Sequence, residues 1–193
     1  EREQVSMRVG IGYDSHRFEE SRPLILGGIE IPGSPGLSGH SDGDAVLHAV
    51  VDALLGAAAA GDIGSHFPPG DPKWEDVDSA LLLSRAVEIL RDRAFEPHNV
   101  DVTVVCEEPK IRPVARKMRE RIASILQLPP TRVSVKGKTN ERMGWIGERE
   151  GIAVLAVATV SEVTDREGGA PGGRGPGRSD GGGTDGGRTE PVT

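Results

Sequence analysis

The 193-residue chain is expected to fold as α+β, an α/β sandwich in which helices cover one mixed β-sheet. Two observations carry that expectation: short β-branched runs bounded by Gly or Pro alternate along the chain with longer stretches of helical period, and those helical stretches are amphipathic. A third bears on the core, because three Phe, two Trp and one Tyr leave aliphatic side chains to fill it.

Taken in order, "MRVGIGYDSH" (7–16) reads as a strand, and "LILGGIEI" (24–31) as two short strands around the hairpin signal Gly27-Gly28. "SDGDAVLHAVVDALLGAAAAG" (41–61) reads as a helix with an acidic first turn and Gly61 near its end. A second helix is expected over 78–95 behind the N-cap candidate Asp78. "VDVTVVCE" (100–107) is a strand. A third helix is expected over 109–128, with Pro113 tolerable in its first turn and Pro129-Pro130 closing it. "RVSVKGK" (132–138) and "GIAVLAVATV" (151–160) complete the strands. Residues 166–193 hold 11 glycines and three prolines, with Val192 the one large apolar side chain. Such a segment buries too little surface to offset its ordering entropy. The expected organisation is an N-terminal extension (1–6), a folded domain (7–164) and a Gly-rich disordered tail (165–193).

A net charge of −7, from 23 basic and 30 acidic residues, argues against a nucleic-acid surface. A single cysteine, Cys106, excludes an intrachain disulfide and suits a reducing compartment. There is no apolar run of about 18 residues to span a membrane, and "EREQVSM" lacks a signal-peptide core. A cytoplasmic protein with no membrane partner is expected.

Side chains two apart on a strand share a face, so Asp14 and His16 project together. In the first helix Asp44, His48 and Asp52 lie at i, i+4 and i+8, a polar stripe among Ala, Val and Leu. Asp14, His16 and His48 suit tetrahedral zinc with one open position, and Asp44 or Asp52 could orient the His48 ring from outside the ligand set. The same residues also suit a turn-capping Asp, a surface His and a half-buried His. "GDIGSHFPPGDP" (61–72) reads as a connector or ligand loop. "KGKTNERMGWIGEREG" (136–151) reads as a solvated turn or a phosphate loop, in which Lys138 and Thr139 suit phosphate and Glu141 suits a hard cation.

Together "RVGIGYDSHRF", "LILGGIEIP", "GLSGHSDGDAVLHAVVDALLGAAAAGDIGSHFP", "NVDVTVVCEEPKIRP" and "VSVKGKTNERMGWIGEREGIAVLAVATV" resemble the 2-C-methyl-D-erythritol 2,4-cyclodiphosphate synthase family. They follow the family order over about residues 7–160. The resemblance implies that Asp14, His16 and His48 hold Zn2+ or another divalent transition metal. It implies that His40 and Thr139 support the transition state, with Ser41 beside His40 and Ser15 between the first two ligands. Asp62, Ile63, Gly64, Phe67 and Asp71 match the segment around the methylerythritol moiety; Cys106, Pro109, Lys110 and Ile111 match the cytidine pocket. Lys138 and Asn140 flank Thr139 at the phosphates, Trp145 stands where an aromatic is usual, and Glu141 matches the ligand of Mg2+ or Mn2+ on the diphosphate. Glu148, with Arg149 next to it, stands where the family commonly has Arg. Family members form homotrimers about a threefold axis, with active sites between subunits and a cytidine diphosphate substrate. Two other readings stay open at this point: a zinc hydrolase, and a non-catalytic trimer that binds isoprenoid diphosphates or nucleotides.

Overall fold

A computed structural model describes residues 6–163 apart from Glu75; the expectations for 165–193 and for nearly all of 1–6 lie outside the described residues. The elements are β1 (Met7–Leu26), β2 (Ile29–Leu37), α1 (Ala45–Ala57), α2 (Ile63–His66), α3 (Ser79–Arg91), β3 (Phe95–Val105), α4 (Ala115–Leu126), β4 (Val133–Lys138), α5 (Gly144–Gly147) and β5 (Gly151–Glu162). The sheet order is β2-β1-β5-β3-β4. The β3–β4 pair, joined through α4, is parallel and the other pairs are antiparallel, so the sheet is mixed as expected.

Several boundaries differ from the sequence reading. The expected helix over 78–95 ends at Arg91, because from Phe95 onward the chain pairs with β5, and β3 starts five residues before the expected 100. The strand expected to end at residue 31 runs on to Leu37. The first strand runs ten residues further, because β1 pairs with β5 through Arg17 and then with β2 from Phe18 to the Gly27-Gly28 turn, where φ is 63° and 72°. The expected helix over 41–61 spans only 45–57, since Asp44 is its N-cap and accepts from the amides of Val46 and Leu47. The expected helix over 109–128 begins at Ala115. Pro109 and Pro113 cannot donate to a helical ladder, and the segment before Ala115 is a chain of turns instead.

One face of the sheet carries the core. Val100, Val102 and Val104 of β3 and Ile152, Val154, Ala156 and Ala158 of β5 meet Leu47 and Leu54 of α1, Leu83 and Leu90 of α3 and Met118 and Ile122 of α4, all buried. Each such leucine contributes about 1.5–3 kcal/mol by leaving water. Phe67 and Phe95 are the buried aromatic side chains among the described residues, so the core is aliphatic as its composition implies. Gly10 and Gly12 face α1, and a Cβ built on them would meet Ala53 O at 2.1 Å and Ala49 O at 1.9 Å. The glycines of "VGIG" therefore let α1 lie directly on β1. On the opposite face Val9, Ile11 and Tyr13 stand beside Thr159, Val157 and Leu155 of β5. Val9 and Ile11 are 67% and 68% exposed there, which leaves an apolar sheet face open in the single chain.

Candidate metal centre and active site

The even-numbered residues of β1 face the helices, so Asp14 and His16 continue the side opened by Gly10 and Gly12. Because α1 lies so close, His48 in its first turns reaches them. Asp14 Oδ2 is 2.8 Å from His16 Nε2 and 3.0 Å from His48 Nδ1, and the three side chains form a possible metal-binding group. The opposite ring nitrogens are already committed. His16 Nδ1 is 2.5 Å from the Ser38 carbonyl oxygen, which can only accept, so that nitrogen carries the proton. His48 Nε2 lies 2.9 Å from Ser79 Oγ and 3.0 Å from Ser41 Oγ. Neutral imidazoles so held turn two lone pairs and a carboxylate oxygen toward one point, which requires protons or a cation between them. The donor set, two imidazole nitrogens and one carboxylate, fits a divalent transition metal. Burial acts to raise the Asp14 carboxyl, but hydrogen bonds to His16 and His48 outweigh it and hold the group well below the usual carboxylate range. Burial likewise acts to lower His16, and the Asp14 hydrogen bond and charge overcome it and raise it.

The expected outer partners of His48 are corrected. Asp44 does not reach its ring: both Asp44 oxygens are taken by the amides of Gly27, Gly28, Val46 and Leu47, at 2.6 to 3.0 Å. Asp52 accepts instead from the Ile63 amide at 2.7 Å and so ties α1 to the start of α2. The residues that do touch His48 Nε2 were not singled out as its partners in the sequence. Ser79, the first residue of α3, is fully buried. "D-S-A" at 78–80 announces a helix start but gives no hint that the hydroxyl faces a histidine 31 residues earlier.

A cavity of about 450 Å3 opens beside this group, lined by Asp14, His16, His40, Ser41, Ile63, Gly64, Phe67 and Asp71 of the expected site. Asp52, Pro68, Pro69, Trp74 and Leu82 also line it. Phe67 is buried and meets Trp74 edge to face with ring centroids 5.0 Å apart. His40 is exposed at the rim, on a loop gripped by Arg22: its guanidinium donates to Gly39 O at 2.6 Å and to Ser41 O, while Asp76 N donates to His40 O at 2.8 Å. Asp62 lies outside the cavity lining and caps α2, accepting from Ser65 N at 2.8 Å.

The remaining expected residues gather elsewhere, at the ends of β3 and β4. Thr139 donates to Glu141 Oε1 at 2.8 Å. Glu107 Oε1 accepts from the amides of Asn140 and Arg142, both at 3.0 Å, and so binds the 106–112 segment to the 138–142 turn. Cys106 is buried, with Sγ 3.4 Å from Pro109 O, and Ile111 is buried against Gly137. Lys110 and Lys138 are exposed beside them. Ser15 and Trp145 border a second hollow of about 330 Å3, together with His16, Arg17 and Glu150. Arg149 turns to Glu108, 3.3 Å away. None of this second group lines the cavity at Asp14, His16 and His48 within one chain.

Comparison with known proteins bears directly on this arrangement. The chain is 55% identical over 155 residues to a 2-C-methyl-D-erythritol 2,4-cyclodiphosphate synthase of Symbiobacterium thermophilum, covering 80% of this chain and 99% of that one. Its fold matches the bifunctional IspDF of Campylobacter jejuni with a TM-score of 0.79 and 40% identity, over 82% of this chain and 43% of that one. It matches a CDP complex of IspF from Plasmodium falciparum with a TM-score of 0.72 and 33% identity, over 84% of this chain and all of that one (100%). Residues 7–161, from the first residue of β1 to the last but one of β5, match one family throughout, and the chain belongs to that family, the YgbB family.

Proposed function

We propose that the chain is a 2-C-methyl-D-erythritol 2,4-cyclodiphosphate synthase, a phosphorus–oxygen lyase. It converts 4-diphosphocytidyl-2-C-methyl-D-erythritol 2-phosphate to the 2,4-cyclodiphosphate and CMP. The convergence of Asp14, His16 and His48 at the mouth of a cavity is the observation that carries this reading. A sensor that only bound nucleotides would need no such group. In the reaction a 2-phosphate oxygen attacks the β-phosphorus of the same molecule. The bond from that phosphorus to the bridging oxygen breaks, and CMP leaves with that oxygen. The nucleophile is already ionised, so the protein's work is positioning and charge neutralisation.

Asp14, His16 and His48 would hold Zn2+ or a similar transition metal, which when bound supplies a Lewis acid for a phosphate oxygen. Glu141 would hold Mg2+ or Mn2+ with the diphosphate. His40 at the rim and Thr139 donate hydrogen bonds as charge grows on the transferring group. Ser41 and the Ile63, Gly64, Phe67 and Asp71 wall receive the methylerythritol part, with Asp62 behind it. Cys106, Pro109, Lys110 and Ile111 form the cytidine pocket, and Ser15, Lys138, Asn140 and Trp145 complete the contacts.

Two observations support a homotrimer with sites between subunits. The apolar face of Val9, Ile11, Tyr13, Leu155 and Val157 needs a cover. The Thr139–Glu141 turn does not line the cavity that holds the metal group in its own chain, so a neighbour's turn would complete it. The test is incubation with the cytidyl substrate and Mg2+, followed by phosphorus NMR. Equal amounts of CMP and cyclic diphosphate are expected. Inorganic phosphate, or a linear diphosphate, would overturn the reading in favour of a hydrolase.

A further inference from the structure

We propose that Asp42 and Ser79 form a hydrogen-bonded relay to His48 that fixes its tautomer and ring direction, so that Nδ1 is the atom presented beside Asp14 and His16. The inference rests on reading those three side chains as metal ligands, and it names two positioning residues for them. Ser79 Oγ lies 2.5 Å from Asp42 Oδ1, and Ser79 N donates to Asp42 Oδ2 at 3.0 Å, so one carboxylate holds both the hydroxyl and the amide of the same residue. An ionised carboxylate only accepts, so the Ser79 hydroxyl proton points to Asp42. The remaining lone pairs of Ser79 Oγ then face His48 Nε2, 2.9 Å away, and that nitrogen must carry the proton. Its other nitrogen, Nδ1, is left with a free lone pair 3.0 Å from Asp14 Oδ2. A carboxylate behind an imidazole through a bridging group holds the ring and raises its basicity as a ligand.

The geometry gives the relay little freedom. Ser79 is fully buried, and its backbone is the first turn of α3. Asp42 is anchored on the other side, where Oδ1 also accepts from Asp44 N at 3.1 Å and Asp42 N donates to Val77 O at 3.3 Å. Three separate segments, the 38–44 loop, α1 and α3, are thus joined at one imidazole. Ser41 Oγ stands 3.0 Å from the same nitrogen but 3.5 Å from Ser79 Oγ, and it makes no bond to Asp42. It is a second acceptor outside the relay.

The experiment titrates Zn2+ into the full chain against a chromophoric chelator, for the unaltered protein and for Ser79→Ala, Ser79→Thr and Asp42→Asn. It records the visible spectrum of each with Co2+ and its melting temperature. The relay predicts zinc affinity about 10- to 100-fold weaker in Ser79→Ala and Asp42→Asn. It also predicts altered Co2+ bands in both, and recovery of affinity in Ser79→Thr, which keeps the hydroxyl. A purely structural role would lower the melting temperature while leaving zinc affinity and the Co2+ bands of the folded protein unchanged, and that result overturns the proposal. Should Ser79→Ala fail to fold, Asp42→Asn with unchanged affinity overturns it equally. If the unaltered chain binds no Zn2+ or Co2+, the reading of the ligands themselves falls, an outcome distinct from tight binding in every variant.

Discussion

Individual residues in this protein are set by what lies on the far side of them. His16 and His48 each present one nitrogen to Asp14 because the other is taken, by a backbone carbonyl in one case and a serine in the other. Cys106 shows the same rule with the opposite outcome. It stands in the segment matched to the cytidine pocket, yet it is buried, and burial pushes its thiol up to about 11. At pH 8 the folded protein then holds only about one thiolate in a thousand, and the thiolate is the reactive form. Alkylation by iodoacetamide at pH 8, followed by mass spectrometry, should be slow in the folded chain and fast in urea; rapid labelling of the folded chain would contradict this. The sign for stability follows. An unfolded thiol ionises near its ordinary 9.0 and the folded one near 11, so the thiol's contribution is fully present below about pH 9 and is lost as pH rises toward 11.

Among the elements, the contact between β1 and α1 decides whether the site exists. The strand brings Asp14 and His16, the helix brings His48, and the bare faces of Gly10 and Gly12 set the distance between them. In Gly12→Ala the new methyl would start 1.9 Å from Ala49 O, so α1 must move away from β1. Overpacking of this kind costs about 1–3 kcal/mol, and the shift separates His48 from Asp14 as well. A lower urea midpoint together with weaker zinc binding is expected. A variant with native midpoint and native zinc affinity would show that the close approach is dispensable. Much of this was legible beforehand: the period-two spacing of Asp14 and His16, the helix carrying His48, and the Gly27-Gly28 hairpin. The partners of His48 were not. Helical periodicity assigned Asp44 to its stripe, while the structure uses Asp44 as the N-cap, because four nearby amides bind it more closely than an imidazole one turn on could. Ser79 belongs to another helix, and no local pattern announces a contact made across the fold.

At the scale of the whole molecule, the residues proposed for the site fall into two separate groups within one chain. The metal group and its cavity lie on the helix side of β1. The Thr139–Glu141 turn, tied to the 106–112 segment by Glu107, lies at the far ends of β3 and β4. A trimer joined through the open sheet face would set the second group of one subunit against the first group of the next. Ile11 is the residue to test, because it is 68% exposed and sits opposite Val157 in the middle of that face. In Ile11→Glu the single chain loses no buried contact, so its fold and its Asp14–His16–His48 group should persist. Three like charges brought together at an apolar seam, each stripped of water, should instead keep the subunits apart. Sedimentation should then report a mass near the 20.4 kDa of one chain in place of about three times that value. Zinc affinity should stay close to that of the unaltered protein, while turnover falls to background. Turnover that survives in a demonstrated monomer would mean that each chain completes its own site, and the Thr139 turn would then have to reach the cavity by a movement within the subunit.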